Sequence, residues 1–156
     1  MTLTYLPYDA AEIAKLRAGG PDVYGNPAER AISSGVGTPC RCCLRNVPKD
    51  AEMLICAARP FAALQPYAET GPVFFCADDC APYDGQDAPP ILKTSPDYLV
   101  KAYDARDRII YGTGQITPKA DIATYATRLF ERDGVAYVDV RSARNNCFLT
   151  RIVQTP

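Results

Sequence analysis

The chain has 156 residues and a formal net charge of −1, with 47% apolar residues and no histidine. At this size a chain can bury roughly two thirds of the surface that its unfolded form exposes, which is enough for a core. The balanced charge argues against a nucleic-acid partner. The absence of histidine excludes serine–histidine and cysteine–histidine catalysis and every histidine-containing metal site.

The sequence shows no targeting or membrane-spanning pattern. Residues 1–7 lack the basic start and apolar run of a signal peptide, and no later stretch is long and apolar enough to span a bilayer. We therefore expect a cytoplasmic location without a membrane partner. Seven cysteines in a reducing compartment are poorly explained by disulfides, so metal binding or burial in the core is the better expectation.

The N-terminal segment predicts one short helix. Asp9 is a suitable N-cap, Ile13 and Leu16 recur on one helical face, and Gly19-Gly20 ends the pattern. We expect this helix to lie on the body of the domain.

Residues 21–38 predict an extended loop, because they are rich in glycine, proline, asparagine and serine. Only residues 28–32 could form a turn of helix. The loop leads directly into the cysteine-rich stretch that begins at Cys40.

Two cysteine pairs form the sharpest chemical signal in the chain. Cys40 and Cys43 form a C-x-x-C motif, and Cys76 and Cys80 form a C-x-x-x-C motif. Such spacings let a loop wrap one tetrahedral metal ion. Four thiolates leave no open coordination position, so the motifs predict a structural zinc site and not a catalytic one. The alternative is four separate small apolar residues in the core, since the 44–75 interval exceeds the usual spacing of a zinc ribbon.

The first motif leaves two further questions open. Cys42 could replace Cys40 or Cys43 as a ligand, because adjacent cysteines are not distinguished by spacing. A C-x-x-C motif can also be a redox pair when a helix follows it and lowers the pKa of one thiol. Residues 44–48 run into a turn instead, so a cysteine redox protein is the less favoured alternative.

Two strands are predicted beside the cysteines. The apolar run 53–57 reads as a buried strand, in which Cys56 is expected to pack as an inert thiol. Residues 59–72 contain three prolines and should cross the surface, before 73–75 returns as a strand that leads into Cys76.

A hairpin is predicted in the middle of the chain. Residues 98–103 alternate in the manner of a strand, residues 104–107 predict a turn, and residues 108–111 predict the returning strand. Gly112 and Gly114 are expected to end or bend that second strand.

The clearest helix is predicted from Pro118 to Arg132, with Thr117 as its N-cap and Gly134 as its stop. Its apolar stripe comprises Ile122, Ala126, Leu129 and Phe130. Two strands follow, over 135–142 and 147–153, joined by a turn whose asparagines tolerate left-handed backbone.

Polar residues gather around this last turn. Guanidinium groups match carboxylates and phosphates, so the turn predicts a pocket for a small anionic ligand. Its predicted residues are Arg141, Arg144, Asn145 and Cys147. The alternative is a solvated face in which these arginines pair with acids such as Asp139, and the thiol packs at the edge of a strand.

Several phrases of the sequence resemble a bacterial family of unknown function, DUF1203, over about residues 39–153. They are Pro39-Cys40-Arg41, Gly71-Pro72-Val73-Phe74, Lys101-Ala102-Tyr103-Asp104, Ala136-Tyr137-Val138 and Ala143-Arg144-x-x-Cys147-Phe148. The resemblance implies a small bacterial protein and no particular activity. It also implies that the metal site belongs to a subfamily, because some relatives carry histidine near the cysteine positions and others lack the second pair.

We expect a single α+β domain over residues 1–156, in which 1–38 form the N-terminal helix and extended loop. Residues 39–156 should form the α+β core: a mixed, largely antiparallel sheet, the main helix on one face, and the cysteine loop at one end. The leading functional hypothesis is a non-enzymatic binding or structural domain with a tetra-cysteine zinc site. The alternatives are an enzyme that acts on an anionic metabolite at the arginine pocket, and a cysteine redox protein.

Overall fold

The computed structural model describes residues 1–156 and has two antiparallel sheets and two α-helices. The elements are β1 (Thr2–Leu6), α1 (Ala10–Arg17), β2 (Glu29–Ile32), β3 (Glu52–Ala58), β4 (Gly71–Cys76), β5 (Asp97–Tyr103), β6 (Gln115–Pro118), α2 (Ile122–Phe130), β7 (Tyr137–Ser142) and β8 (Phe148–Thr155). The large sheet has the order β1-β8-β7-β5-β6, and the small sheet has the order β2-β3-β4. The α+β class is confirmed, although the strands expected in one sheet are divided between two.

One face of the large sheet carries the main apolar core. Strand alternation sends every second side chain of β5, β7 and β8 toward α2. The buried residues that these strands contribute to the core are Tyr98, Val100, Ala102, Val138, Val140, Leu149 and Ile152. Ile122, Ala126 and Leu129 of α2 are buried against them, as predicted, while Phe130 is only partly buried.

The start of α2 differs from the prediction. Thr117 lies in β6, where it pairs with Tyr98 and is fully buried. Its hydroxyl donates to the carbonyl of Gln115 at 3.2 Å and does not cap a helix. A 3₁₀ turn over Lys119–Asp121 precedes α2, so the helix begins four residues later than expected.

The opposite face of the large sheet is polar and aromatic. Tyr103 stacks on Tyr137 with ring centroids 5.1 Å apart, and Phe61 packs against Tyr103 at 5.5 Å. Phe61 belongs to the segment between β3 and β4, which crosses this face. Arg151 donates to the carbonyl of Pro60 at 2.8 Å and so fastens the segment to β8.

The small sheet has a core of its own, against which α1 packs. Ile13 and Leu16 of α1 are buried there, and the Asp9 side chain accepts a hydrogen bond from the Glu12 N–H at 2.9 Å. Gly19 follows the helix with a φ of +88°, which glycine adopts without strain. These features confirm the predicted N-terminal helix.

Two strand predictions are corrected, and one strand is new. Residues 2–6 form β1, an edge strand on β8 that the sequence pattern did not predict. The segment expected to form a helical turn contains β2, because it pairs with β3. Residues 108–111 form no strand: Ile109 makes a single bridge to Tyr103, and β6 is the neighbour of β5. For β1 and β2, the partner strand, remote in sequence, determines the backbone conformation.

Neither α-helix is long and apolar enough to cross a membrane.

Candidate metal site

The cysteine loop, residues 38–45, lies between the two sheets and contacts both. Cys40 makes a parallel bridge to Phe74 of β4, which places it beside the small sheet. On the other side, Arg41 is buried and its Nε donates to the carbonyl of Phe148 in β8 at 2.8 Å. Burial lowers the pKa of Arg41 to about 10.

The loop folds back on itself within the first motif. The Leu44 N–H donates to the Cys40 carbonyl at 3.0 Å, and the Cys40 N–H donates to the Arg45 carbonyl at 2.8 Å. This turn brings Cys43 to the same side as Cys40. Cys76 ends β4, where the following amide of Ala77 donates to the Glu52 carbonyl at 3.0 Å.

The structure brings together all four cysteines of the two motifs. The Sγ atoms of Cys40, Cys43, Cys76 and Cys80 lie within 4.8 Å of one another. Cys40 and Cys80 are separated by 3.8 Å between their Sγ atoms. Tetrahedral Zn–S bonds of about 2.3 Å require sulfur separations of about 3.8 Å, so this group can hold one metal ion.

Backbone amides stabilise negative charge at the centre of this cluster. The N–H groups of Cys42 and Cys76 donate to the Cys40 Sγ at 3.4 and 3.3 Å. The side chains of Cys43 and Cys76 also donate to it and hold the pKa of Cys40 far below its usual range. Hydrogen bonds with Cys40 and Cys43 in turn raise the pKa of Cys76. One thiolate is stabilised by these donors, whereas four thiolates together require a cation.

Arg17 of α1 contacts the cluster from outside. Its Nη2 donates to the Cys80 Sγ at 3.2 Å, its Nε donates to the Cys76 carbonyl at 3.1 Å, and its Nη1 pairs with Asp79 at 3.4 Å. The sequence did not indicate a role for Arg17. A basic residue in the last turn of a helix is common, and no local signal relates it to cysteines about sixty positions away.

The remaining neighbouring cysteines lie outside the group of four. Cys42 is buried, its Sγ donates to the Cys80 carbonyl at 3.7 Å, and burial raises its pKa to about 12. Cys56 packs in the core of the small sheet, where burial raises its pKa to about 11. Both thiols are held in the protonated form by their surroundings.

The cluster is not sealed from solvent. Cys43 and Cys80 are half-buried, and both line a cleft of about 450 Å³ together with Cys76 and Tyr83. This cleft provides an entry path for an ion, which a usable metal site requires.

The predicted anion pocket is assembled only in part. Arg141, Asn145 and Cys147 line one cavity at the turn between β7 and β8. Arg144 lies outside it, with a side chain that is 61% exposed and paired with Asp97 at 3.0 Å. Glu69, which no sequence pattern indicated, also lines the cavity and pairs with Arg141 at 3.3 Å.

Comparison with known proteins gives one family and no characterised relative. No curated protein and no solved structure matches the chain. Residues 37–154 match the sequence profile of a family described as "Protein of unknown function (DUF1203)". The match includes all four clustered cysteines and stops short of α1 and Arg17. Since it covers most of the sequence, the chain belongs to the DUF1203 family.

Proposed function

We propose that this protein is a small, non-enzymatic binding or structural domain in which Cys40, Cys43, Cys76 and Cys80 hold one structural zinc ion. The observation that carries the proposal is the convergence of four Sγ atoms within 4.8 Å. Four thiolate ligands complete a tetrahedral shell, so no coordination position remains for a substrate or a reactive water.

The donor set favours zinc over the hard cations. Calcium and magnesium take oxygen ligands, whereas tetrahedral sulfur sites select zinc or iron. Four thiolates around Zn²⁺ leave a net charge of −2. The Arg17 guanidinium and the two amides that donate to Cys40 would offset part of that charge.

The ion would hold together three segments that also contact one another through hydrogen bonds. It would link the cysteine loop, the end of β4 and the segment that follows Cys80. That last segment already docks on the loop, through the Tyr83 N–H to the Cys42 carbonyl at 2.9 Å and the Ile91 N–H to the Leu44 carbonyl at 3.1 Å. A reducing compartment such as the cytoplasm would keep the thiols available for metal.

Metal analysis of the purified protein tests the proposal. We expect one zinc per chain, lost in Cys80→Ser and retained in Cys56→Ser and Cys147→Ser, whose thiols lie outside the cluster. Substitution with cobalt should give the absorption of tetrahedral cobalt thiolate. An iron chromophore would reassign the metal, and a metal-free protein that stays folded with freely titrating thiols would overturn the proposal.

A further inference from the structure

A fifth thiol lies beside the metal cluster and takes no part in it. Cys42 stands between the two cysteines of the first motif, and its side chain is buried in the small-sheet core. A structural site of four thiolates is complete without a fifth. A small apolar side chain would fill the same position, so packing alone does not require sulfur there.

The Cys42 thiol lies against Cys80. Its Sγ donates to the Cys80 carbonyl at 3.7 Å and also donates to the Cys80 side chain. The Tyr83 N–H donates to the Cys42 carbonyl at 2.9 Å, which holds the segment after Cys80 against this part of the cysteine loop. Arg17 contacts both thiols from α1. These contacts place a thiol that can bind metal next to one that does not.

Cys80 is a ligand that an oxidant can reach. It is half-buried and lines the cleft of about 450 Å³, whereas Cys40 is fully buried. Arg17 donates to the Cys80 Sγ at 3.2 Å, and a cation beside a sulfur favours its reaction as a thiolate. Cys43 lines the same cleft, but the thiols that contact it, Cys40 and Cys76, both belong to the group of four.

Cys40 is the competing partner for Cys80, since their Sγ atoms are 3.8 Å apart. Both of these cysteines belong to the metal shell, however, and the Cys40 Sγ also accepts the N–H groups of Cys42 and Cys76. Oxidation of Cys80 leaves Cys40 engaged with the ion, whereas the Cys42 thiol remains free to react. Cys42 is therefore the better placed of the two. Oxidation-sensing cysteines are characteristically accessible and adjacent to such a second thiol.

We propose that Cys42 and Cys80 form an oxidation-sensitive switch, in which hydrogen peroxide joins them in a disulfide and the metal ion is released. This inference rests on the proposed zinc site. The Cys80 sulfur attacks one peroxide oxygen, the O–O bond breaks, and the departing hydroxide takes up a proton to form water. The Cys42 sulfur then attacks the Cys80 sulfenic acid, the S–O bond breaks, and the Cys42 proton leaves with the hydroxide as a second water. Two electrons pass from the two sulfurs to the peroxide.

The disulfide changes what holds the segment after Cys80. Only three of the four thiolates remain for the ion, and Cys80 cannot return to the shell until a thiol reductant cleaves its bond to Cys42. The segment is then attached to the cysteine loop by a covalent bond instead of by the ion. The protein thus holds metal under reducing conditions and releases it under oxidising ones.

Peroxide treatment of the zinc-loaded protein tests the switch. We expect a chromophoric chelator to detect the released zinc, peptide mapping without reductant to find a Cys42–Cys80 disulfide, and a thiol reductant to restore zinc binding. Metal content before peroxide tests the proposed function, whereas release after peroxide tests this inference, so the two can fail separately.

Cys42→Ser and Cys42→Ala should bind zinc as the wild type does, because neither removes a ligand, and should retain it through the peroxide exposure that empties the wild type. Cys56→Ser, which changes a buried thiol outside the cluster, should release zinc as the wild type does. If both Cys42 variants fail to fold, the disulfide mapped in the wild type decides the question. The switch is overturned if the Cys42 variants release zinc as fast as the wild type, if the disulfide joins Cys80 to Cys40, or if the wild type keeps its zinc in peroxide.

Discussion

The two cores of this protein are built from different chemistry. The 14 buried residues of the large-sheet core include no cysteine, whereas the 12 of the small-sheet core include four, namely Cys40, Cys42, Cys56 and Cys76. A thiol buries less apolar surface than leucine or isoleucine, so it contributes less hydrophobic stabilisation. We therefore expect packing to suffice for the large-sheet core, and the small-sheet core to rely on a bound metal.

Leu44 links the cysteine loop to the large-sheet core. It follows Cys43 in the cysteine loop, yet its side chain is fully buried in the large-sheet core. Its φ of +54° is uncommon for a residue other than glycine. The burial of its side chain offsets this conformational cost. Loss of order in the cysteine loop should therefore destabilise both cores.

The largest effect is expected from Cys80→Ser. Structural zinc sites in small peptides contribute about 10–16 kcal/mol of apparent binding free energy, comparable to the whole stability of a domain. The variant should therefore melt far below the wild type. Chelation should lower the melting temperature of the wild type to that of the variant, and should add little to the variant, since both operations remove the same interaction.

If Cys80→Ser melts lower while a chelator leaves the wild type unchanged, the thiol contributes packing alone. The small-sheet core would then be an ordinary apolar core.

Leu129→Ala tests the large-sheet core. Leu129 is 3% exposed in the large-sheet core, and such truncations cost about 2–5 kcal/mol. Denaturant unfolding should show this loss, while metal content remains unchanged. Arg132→Ala, at an exposed position just beyond α2, is the control. An equal midpoint shift in both variants would show that α2 does not depend on the buried stripe.

Arg17→Gln should weaken metal binding without removing a ligand. Groups that donate to metal ligands typically contribute about 10- to 100-fold in metal affinity. Competition with a chromophoric chelator measures this change. Lys15→Gln, on the exposed side of the same helix, should keep the affinity of the wild type. Equal affinities in the two variants would mean that Arg17 only anchors α1.

The smallest effect is expected from Arg144→Ala, which removes an ion pair at the surface of the large sheet. The Arg144 side chain is exposed and that of Asp97 is partly exposed, and such surface pairs contribute about 0.2–1 kcal/mol. Denaturant unfolding should give a midpoint close to that of the wild type. A loss comparable to that of Leu129→Ala would show that the pair supports the fold.

Much of the structure could be predicted because the relevant signals are local. The N-cap at Asp9 and the apolar stripe of α2 each depend on residues within one or two turns of helix. The alternation of β5 and the turn before β8 are local in the same sense. The spacing within each cysteine pair is local as well, and it already suits one ion, whereas the meeting of the two pairs depends on the contact between the cysteine loop and β4. For these features the sequence by itself was sufficient.

Other features were decided by contacts between residues far apart in the chain. β1 and β2 are strands because β8 and β3 offer them hydrogen bonds, and Thr117 joins β6 because it pairs with Tyr98. The separation of Arg141 from Arg144 likewise follows from sheet geometry, which turns one inward toward Glu69 and leaves the other beside Asp97. Pairing energy across a sheet depends on the partner strand, so only the tertiary structure determines where such residues lie.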